Sequence, residues 1–232
     1  MTNRRDLLLI GLGLAGVAGG WQLWVGREQP FAFSDIDHLP GWRRLETGQV
    51  TRPNGAALLT IGQGDDPIAA LTPDELVGTL YRAGRAPSLA VFSDFFCPFC
   101  RSLTARLARR PDLPITWHEL PLLGPASEIA AKAAVAADLQ GQYAGFIEAL
   151  ARGGFRPSAA HMARVAETIG LDGQRLARDM DGEQVAHRLM MSRRAAATLG
   201  IFGTPGMTID RTLVIGEVSM DALDRLMALE QS

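Results

Sequence analysis

The sequence predicts an α/β protein: a sheet interrupted once by an all-helical insertion and preceded by a hydrophobic N-terminal helix. Three observations carry this. Strand-like runs at 56–61, 88–93 and 115–120 alternate with helical patterns, residues 127–199 carry helical signals alone, and strands return at 206–215 before a last helix.

Taken in order, Ala56-Ala-Leu-Leu-Thr-Ile61 reads as a strand. Thr72-Pro73-Asp74-Glu75 is a capping box with proline at the first helical position, which predicts a helix to about Arg82. Ser88–Ser93 reads as a buried strand, Pro98 opens a helix through Arg109, and Ile115–Leu120 is a further strand. Ser127 is expected to cap an alanine-rich helix over Glu128–Gln140 that Gly141 stops. Ser158 caps one ending at Gly170, and Asp181 caps one ending at Gly200. Gly206–Asp210 and Thr212–Ile215 form a hairpin with a tight turn at Asp210-Arg211, and Ser219 caps a final helix to about Leu229. The expected divisions are a signal or anchor at 1–26, an irregular linker at 27–55, and a folded domain at 56–232 whose insertion runs from about 125 to about 200.

With 47% hydrophobic residues in 232, the chain can bury a sizeable core. Its 23 Lys and Arg stand against 25 Asp and Glu with no polybasic block, which argues against a nucleic-acid partner, since binding by counterion release needs clustered cations. Arg4 and Arg5 precede an apolar run, Leu7–Val25, whose 19 residues are just long enough to span a bilayer. Arginines on the inner side would place the remainder outside the inner membrane, in the periplasm, anchored by residues 7–25. The alternative is a cleaved signal that releases a soluble periplasmic protein. Asn3-Arg-Arg-Asp-Leu-Leu-Leu9 also resembles a twin-arginine export signal without its usual Phe-Leu-Lys ending.

The chain holds two cysteines, Cys97 and Cys100, in Ser93-Asp-Phe-Phe-Cys-Pro-Phe-Cys100 between a strand and a helix. They are too few for a disulfide framework, and a four-ligand zinc site would need two further ligands that the scattered histidines do not offer. A purely structural disulfide across so short a loop would gain little entropic stabilisation. Redox exchange explains the context better. At a helix start Cys97 meets unpaired N–H groups and the positive end of the helix dipole, Cys100 lies one turn inside, Pro98 costs no hydrogen bond, and Arg101 adds positive charge nearby. A second constellation, Ile201-Phe-Gly-Thr-Pro-Gly206, stands just before the hairpin.

These pieces together resemble the DsbA-like family of thioredoxin-fold thiol–disulfide oxidoreductases. The matching residues are Phe95-Phe-Cys-Pro-Phe-Cys100, Glu119-Leu-Pro-Leu-Leu-Gly-Pro-Ala-Ser127 and Gly203-Thr-Pro205, and the likeness covers about residues 56–230. The resemblance implies a thioredoxin-like fold with Cys97 as nucleophile and Cys100 as resolving thiol. It also implies a cis Thr204-Pro205 bond that brings this loop against the cysteines to bind substrate, with Phe96, Pro98 and Phe99 lining the same surface. Protein thiols or disulfides are the implied substrates and a membrane redox partner is expected; no cofactor or metal is.

The chain departs from the family in two places. Phe99 stands where the archetype has histidine, so the thiolate lacks a cationic neighbour. Val91 stands where related proteins often carry a buried acid, which leaves Asp94, His118 and Glu119 as proton-relay candidates. Two other functions stay open: a reductase or isomerase kept reduced by a membrane partner, and a soft-metal or chaperone-like module holding Cu(I) on the two thiolates.

Overall fold

The structure, a computed structural model, describes residues 30–46, 69–81 and 88–230. The described residues from Phe33 onward form one compact unit. The segments expected to be an anchor, 7–25, and a strand, 56–61, lie outside the described residues.

Among the described residues the sheet has six strands: β1 (Ser34–Asp35), β2 (Arg43–Glu46), β3 (Leu89–Ser93), β4 (Ile115–Glu119), β5 (Gly206–Ile209) and β6 (Thr212–Ile215), in the order β1-β2-β6-β5-β3-β4. β3 runs parallel to β4, with Leu89 opposite Ile115 and Ser93 opposite Glu119, and antiparallel to β5, with Phe92 opposite Gly206. All five residues of β3 are buried, as a strand covered on both faces must be, and this is why it reads as a continuous apolar run.

One expectation is corrected here. Within the 27–55 segment read as linker, β2 pairs in parallel with β6 and β1 pairs antiparallel with β2. Arg43 anchors the join: its Nε donates to Thr212 Oγ1 at 2.7 Å and its guanidinium pairs with Glu230 at 2.5 Å.

Helix α1 (Pro73–Leu80) begins at the expected capping box, in which the Thr72 N–H donates to Glu75 and the Glu75 N–H donates to the Thr72 hydroxyl. α2 (Pro98–Leu107) follows β3. The insertion between β4 and β5 holds five helices rather than three: α3 (Pro125–Asp138), α4 (Tyr143–Gly153), α5 (Ala159–Glu167), α6 (Gly173–Asp179) and α7 (Glu183–Leu199). α8 (Met220–Leu229) closes the chain, capped by Ser219 as expected.

Two expected caps differ. Gly124 caps α3 with Pro125 at its first position, and Ser127 turns inward instead; Gly182 caps α7, leaving Asp181 to pair with Lys132 at 2.9 Å. α7 also does more than fill the insertion. Its Ala195, Ala196 and Leu199 join Leu76 and Leu80 of α1 over Ala90 and Phe92 of β3, in the main core of the sheet. Side chains alternate across a strand, so Val91 and Ser93 point to the opposite face. Ion pairs tie α2 and the turn after it to the C-terminal segment, Arg106–Glu217 just before α8 at 2.5 Å and Arg110–Asp224 within α8 at 2.8 Å.

Candidate functional site

β3 hands the chain to Asp94, Phe95 and Phe96 and then to Cys97, whose extended backbone makes it the N-cap of α2. The Cys97 N–H donates to the Asp94 carbonyl at 3.0 Å, which closes the turn. Pro98 takes the first helical position, where its missing N–H costs nothing. The Cys100 N–H donates to Cys97 Sγ at 3.2 Å, so this sulfur fills the role that a serine or aspartate oxygen plays at other caps. Negative charge on Sγ is favoured there by the donor and by the helix dipole.

The loop before β5 closes the site from the other side. The Cys97 thiol donates to the Thr204 carbonyl at 3.3 Å, and the Thr204-Pro205 peptide bond is cis. Both cysteines are free thiols and both are buried, Cys97 at 0% and Cys100 at 2% exposure. Accessibility therefore does not separate the two; their bonding does. Burial, then the neighbouring Cys97 sulfur, push the Cys100 thiol well above its ordinary value, against smaller opposing effects of the Asp94 backbone and the Thr204 hydroxyl. Cys100 thus holds its proton.

Of the residues expected at the substrate surface, Thr204 meets Cys97 directly, and Phe96 and Phe99 are half-buried beside an exposed Pro98. Arg101 is engaged with Phe95: its guanidinium donates to the Phe95 carbonyl at 2.9 Å and lies over the Phe95 ring. Two residues of the insertion join the site without any signal near the motif. Phe155, after α4, packs edge-on against Phe96 with ring centres 4.9 Å apart and also meets Phe95 at 5.8 Å. Tyr143, the first residue of α4, stacks on Trp117 of β4 at 4.5 Å.

The three relay candidates separate cleanly. Asp94 is fully occupied: Oδ1 accepts from the Phe96 N–H at 2.8 Å and the Ser127 hydroxyl at 2.9 Å, and Oδ2 from the N–H groups of Leu122 and Leu123 at 2.8 and 3.2 Å. It pins the cysteine turn to the start of α3. Asp94→Asn should cost about 2 kcal/mol, because an amide NH2 must face either the two backbone donors or the Phe96 and Ser127 donors. A denaturant midpoint that falls at an unchanged slope would record this.

His118 lies on the wrong face. Its Nδ1 meets the Ser192 hydroxyl at 3.0 Å, its Nε2 meets the Leu80 carbonyl at 3.2 Å, and its ring stacks on Phe92. Glu119, one residue on, points to the opposite side of the sheet. One of its oxygens accepts from the Tyr143 hydroxyl, and the other, Oε2, is buried with no hydrogen-bond partner among the described residues. Burial, helped by the charges of Asp94 and Asp138 and opposed by the Tyr143 hydrogen bond, pushes the Glu119 carboxyl up to about 8.

Among the described residues no group of three or more His, Cys, Asp or Glu side chains could hold a metal ion, and no helix is long and apolar enough to cross a membrane.

Comparison with known proteins agrees with this geometry. A family model described as "DSBA-like thioredoxin domain" matches residues 88–228, more than half of the chain. Comparison with curated protein sequences finds no match. Among solved structures, a thioredoxin-like oxidoreductase from Silicibacter pomeroyi is 30% identical, covering 70% of this chain and 99% of its own, with a TM-score of 0.57. The thiol-disulfide exchange protein alpha-DsbA2 from Wolbachia pipientis is 21% identical, over 76% and 98%, with a TM-score of 0.57. The catalytic domain of Proteus mirabilis ScsC is 19% identical, over 68% and 97%, with a TM-score of 0.54.

Proposed function

The chain belongs to the DSBA-like thioredoxin domain family and is an oxidoreductase, and from that premise we propose that it exchanges disulfides with protein substrates through Cys97 and Cys100. The observation that carries this reading is the unequal bonding of the two sulfurs. One is held by a helix-start N–H and by the carbonyl of Thr204, and the other is a buried thiol that keeps its proton.

Acting as a reductant, the Cys97 thiolate attacks a substrate disulfide; the substrate S–S bond breaks, and one substrate sulfur leaves as thiolate. The Cys100 sulfur gives up its proton and attacks Cys97, closing the Cys97–Cys100 disulfide and releasing the second substrate sulfur. Two electrons pass to the substrate. Run in reverse, the same steps oxidise a substrate dithiol. The backbone at Thr204 serves the substrate chain, which pairs with it in strand fashion once it displaces the Cys97 thiol from the carbonyl. Phe96, Pro98 and Phe99 supply the adjoining surface. No metal or organic cofactor enters these steps.

Phe99 bears on direction. A histidine there would place an imidazolium near the start of α2 and stabilise the Cys97 thiolate, and with it the reduced form. Phe99→His is therefore expected to raise the reduction potential. A tenfold change in thiolate ionisation corresponds to about 30 mV, so a shift of some tens of millivolts is the expected size. Equilibration of both variants with a glutathione buffer measures it; an unchanged potential contradicts this account. Without such a cation, the chain fits a membrane-maintained reductase or isomerase as well as an oxidase, and the potential separates them. The Cu(I)-binding alternative predicts one tightly held metal per reduced protein, which metal analysis after anaerobic loading tests.

Export to the periplasm and inner-membrane anchoring through residues 7–25 are part of the same proposal. Their support is the Arg4-Arg5 and apolar-run pattern together with chemistry that needs a compartment where disulfides persist. Fractionation of a C-terminally tagged chain is expected to find it in the membrane; a soluble product shortened by about 20 to 26 residues would indicate a cleaved signal instead.

A further inference from the structure

The reduced site closes on itself. Both cysteines are free thiols, Cys97 and Thr204 are wholly buried, and the Cys97 S–H donates to the Thr204 carbonyl at 3.3 Å. Among the described residues the Cys97 thiol is the hydrogen-bond partner of that carbonyl. The same carbonyl is the one a substrate strand would pair with. Thiol and substrate therefore compete for one acceptor.

Backbone holds both sides of the contact. The Cys97 N–H donates to the Asp94 carbonyl at 3.0 Å, and its sulfur accepts from the Cys100 N–H at 3.2 Å. On the facing loop the Gly216 N–H donates to the Pro205 carbonyl at 3.0 Å, and Gly206 pairs with Phe92 in the sheet. A methyl group added at Gly206 would meet Ile201 at 3.3 Å, so this loop is packed from behind as well. Neither group needs to move for the bond between them to be lost. A thiol donates, whereas a sulfur in a disulfide carries no hydrogen and cannot. We infer that the Cys97–Thr204 hydrogen bond is a redox-sensitive gate on polypeptide docking. The reduced protein withholds the Thr204 carbonyl, and closure of the Cys97–Cys100 disulfide frees it for a substrate strand; this rests on the exchange reading above.

Each turnover resets the gate. When a substrate dithiol is oxidised, its two sulfurs join and the Cys97–Cys100 bond breaks. Two electrons and two protons pass from substrate to the cysteines. One of those protons, on Cys97 Sγ, restores the donor to the Thr204 carbonyl and so competes with the strand still docked there. The polypeptide is loosened as its disulfide is completed. In the opposite direction a substrate disulfide meets a closed site, and the S–H donor must first be displaced or ionised. The device suits a protein that captures polypeptides while oxidised and releases them once reduced, which is the order an oxidase needs. An S–H group is a weak donor, so the gate is worth a few-fold in affinity and stays reversible.

The test is binding of a short extended peptide of β-branched residues, with serine in place of cysteine so that no covalent step follows. Calorimetry gives its affinity for the full-length protein in the oxidised state, in the reduced state and in two variants. The oxidised wild type should bind on the order of fivefold more tightly than the reduced, about the worth of one net hydrogen bond. Cys97→Ser keeps an O–H donor facing Thr204 and should bind as weakly as the reduced wild type. Cys97→Ala, which likewise forms no disulfide, has no donor and should bind as tightly as the oxidised wild type. Should Cys97→Ala lose its fold along with its helix cap, the two wild-type states and Cys97→Ser still decide. Equal affinity of the serine and alanine variants, or of the two wild-type states, overturns the gate, and so does a peptide that binds no form. Mixed-disulfide formation with a disulfide-bonded protein reads the exchange reaction independently. If that fails, the exchange reading falls; if it holds while the affinities are equal, only the gate falls.

Discussion

Cys97→Ser abolishes disulfide exchange, and Cys100→Ser holds substrate on the enzyme as a stable mixed disulfide. The expectation comes from the bonding of each sulfur. A nucleophile must be able to carry negative charge, and only Cys97 Sγ sits at the helix start with a backbone N–H donating to it. Cys100 is a proton-bearing thiol that becomes reactive once a sulfur bond forms beside it. A serine oxygen at 97 retains the cap but not the nucleophilicity, so the fold survives while exchange falls to background. At position 100 serine leaves the first attack intact and removes the group that completes the reaction. Non-reducing mass analysis after exposure to a disulfide-bonded protein reads both outcomes. Trapping through Cys100 in Cys97→Ser, rather than through Cys97, would reverse the roles.

Glu119→Gln becomes more stable than the wild type as pH rises. The Glu119 carboxyl stands at about 8 in the folded chain against 4.5 ordinarily. Below about 4.5 it is protonated in both states and contributes no pH dependence. Between these values the folded form holds a proton that the unfolded chain has released, so the wild type loses stability steadily with increasing pH. Above about 8 the loss is complete. Glutamine does not titrate, and the unpaired amide it introduces adds a constant offset without slope. At about 1.4 kcal/mol per pH unit the full swing is at most about 5 kcal/mol, and relaxation around a buried charge reduces it to about 3. Denaturant midpoints of both proteins at a series of pH values give the difference directly; a gap that stays constant from pH 4 to pH 9 would contradict the buried-acid assignment.

The parts of this protein that were legible in the sequence are those fixed by local chemistry. Thr72 and Glu75 form their capping box, β3 reads as a covered strand because both its faces are buried, and Pro98 starts α2 where a proline is tolerated. The close approach of Cys97 and Thr204 was anticipated from the likeness of two motifs more than a hundred residues apart, not from periodicity. What escaped depends on partners distant in sequence. Arg43–Glu46 has one apolar residue in four, and it is a strand because β6 offers an edge and because Thr212 and Glu230 receive Arg43. Ser127 looks like a helix cap, but Asp94, thirty-three residues away, claims its hydroxyl. The start of α4 has no side-chain cap to announce it, so Tyr143 could not be foreseen beside Glu119. Two carboxylates and a histidine near the motif looked equivalent on paper. Strand alternation, which sends His118 and Glu119 to opposite faces, is what divides them.

The most direct test of the central claim is the equilibrium of the Cys97/Cys100 pair with reduced and oxidised glutathione in the full-length protein, read by alkylation and mass. The account predicts a single two-electron transition in which both thiols disappear together into one intramolecular disulfide. Glutathionylation of one cysteine without closure, or two thiols that stay reduced across the whole glutathione range, would contradict it.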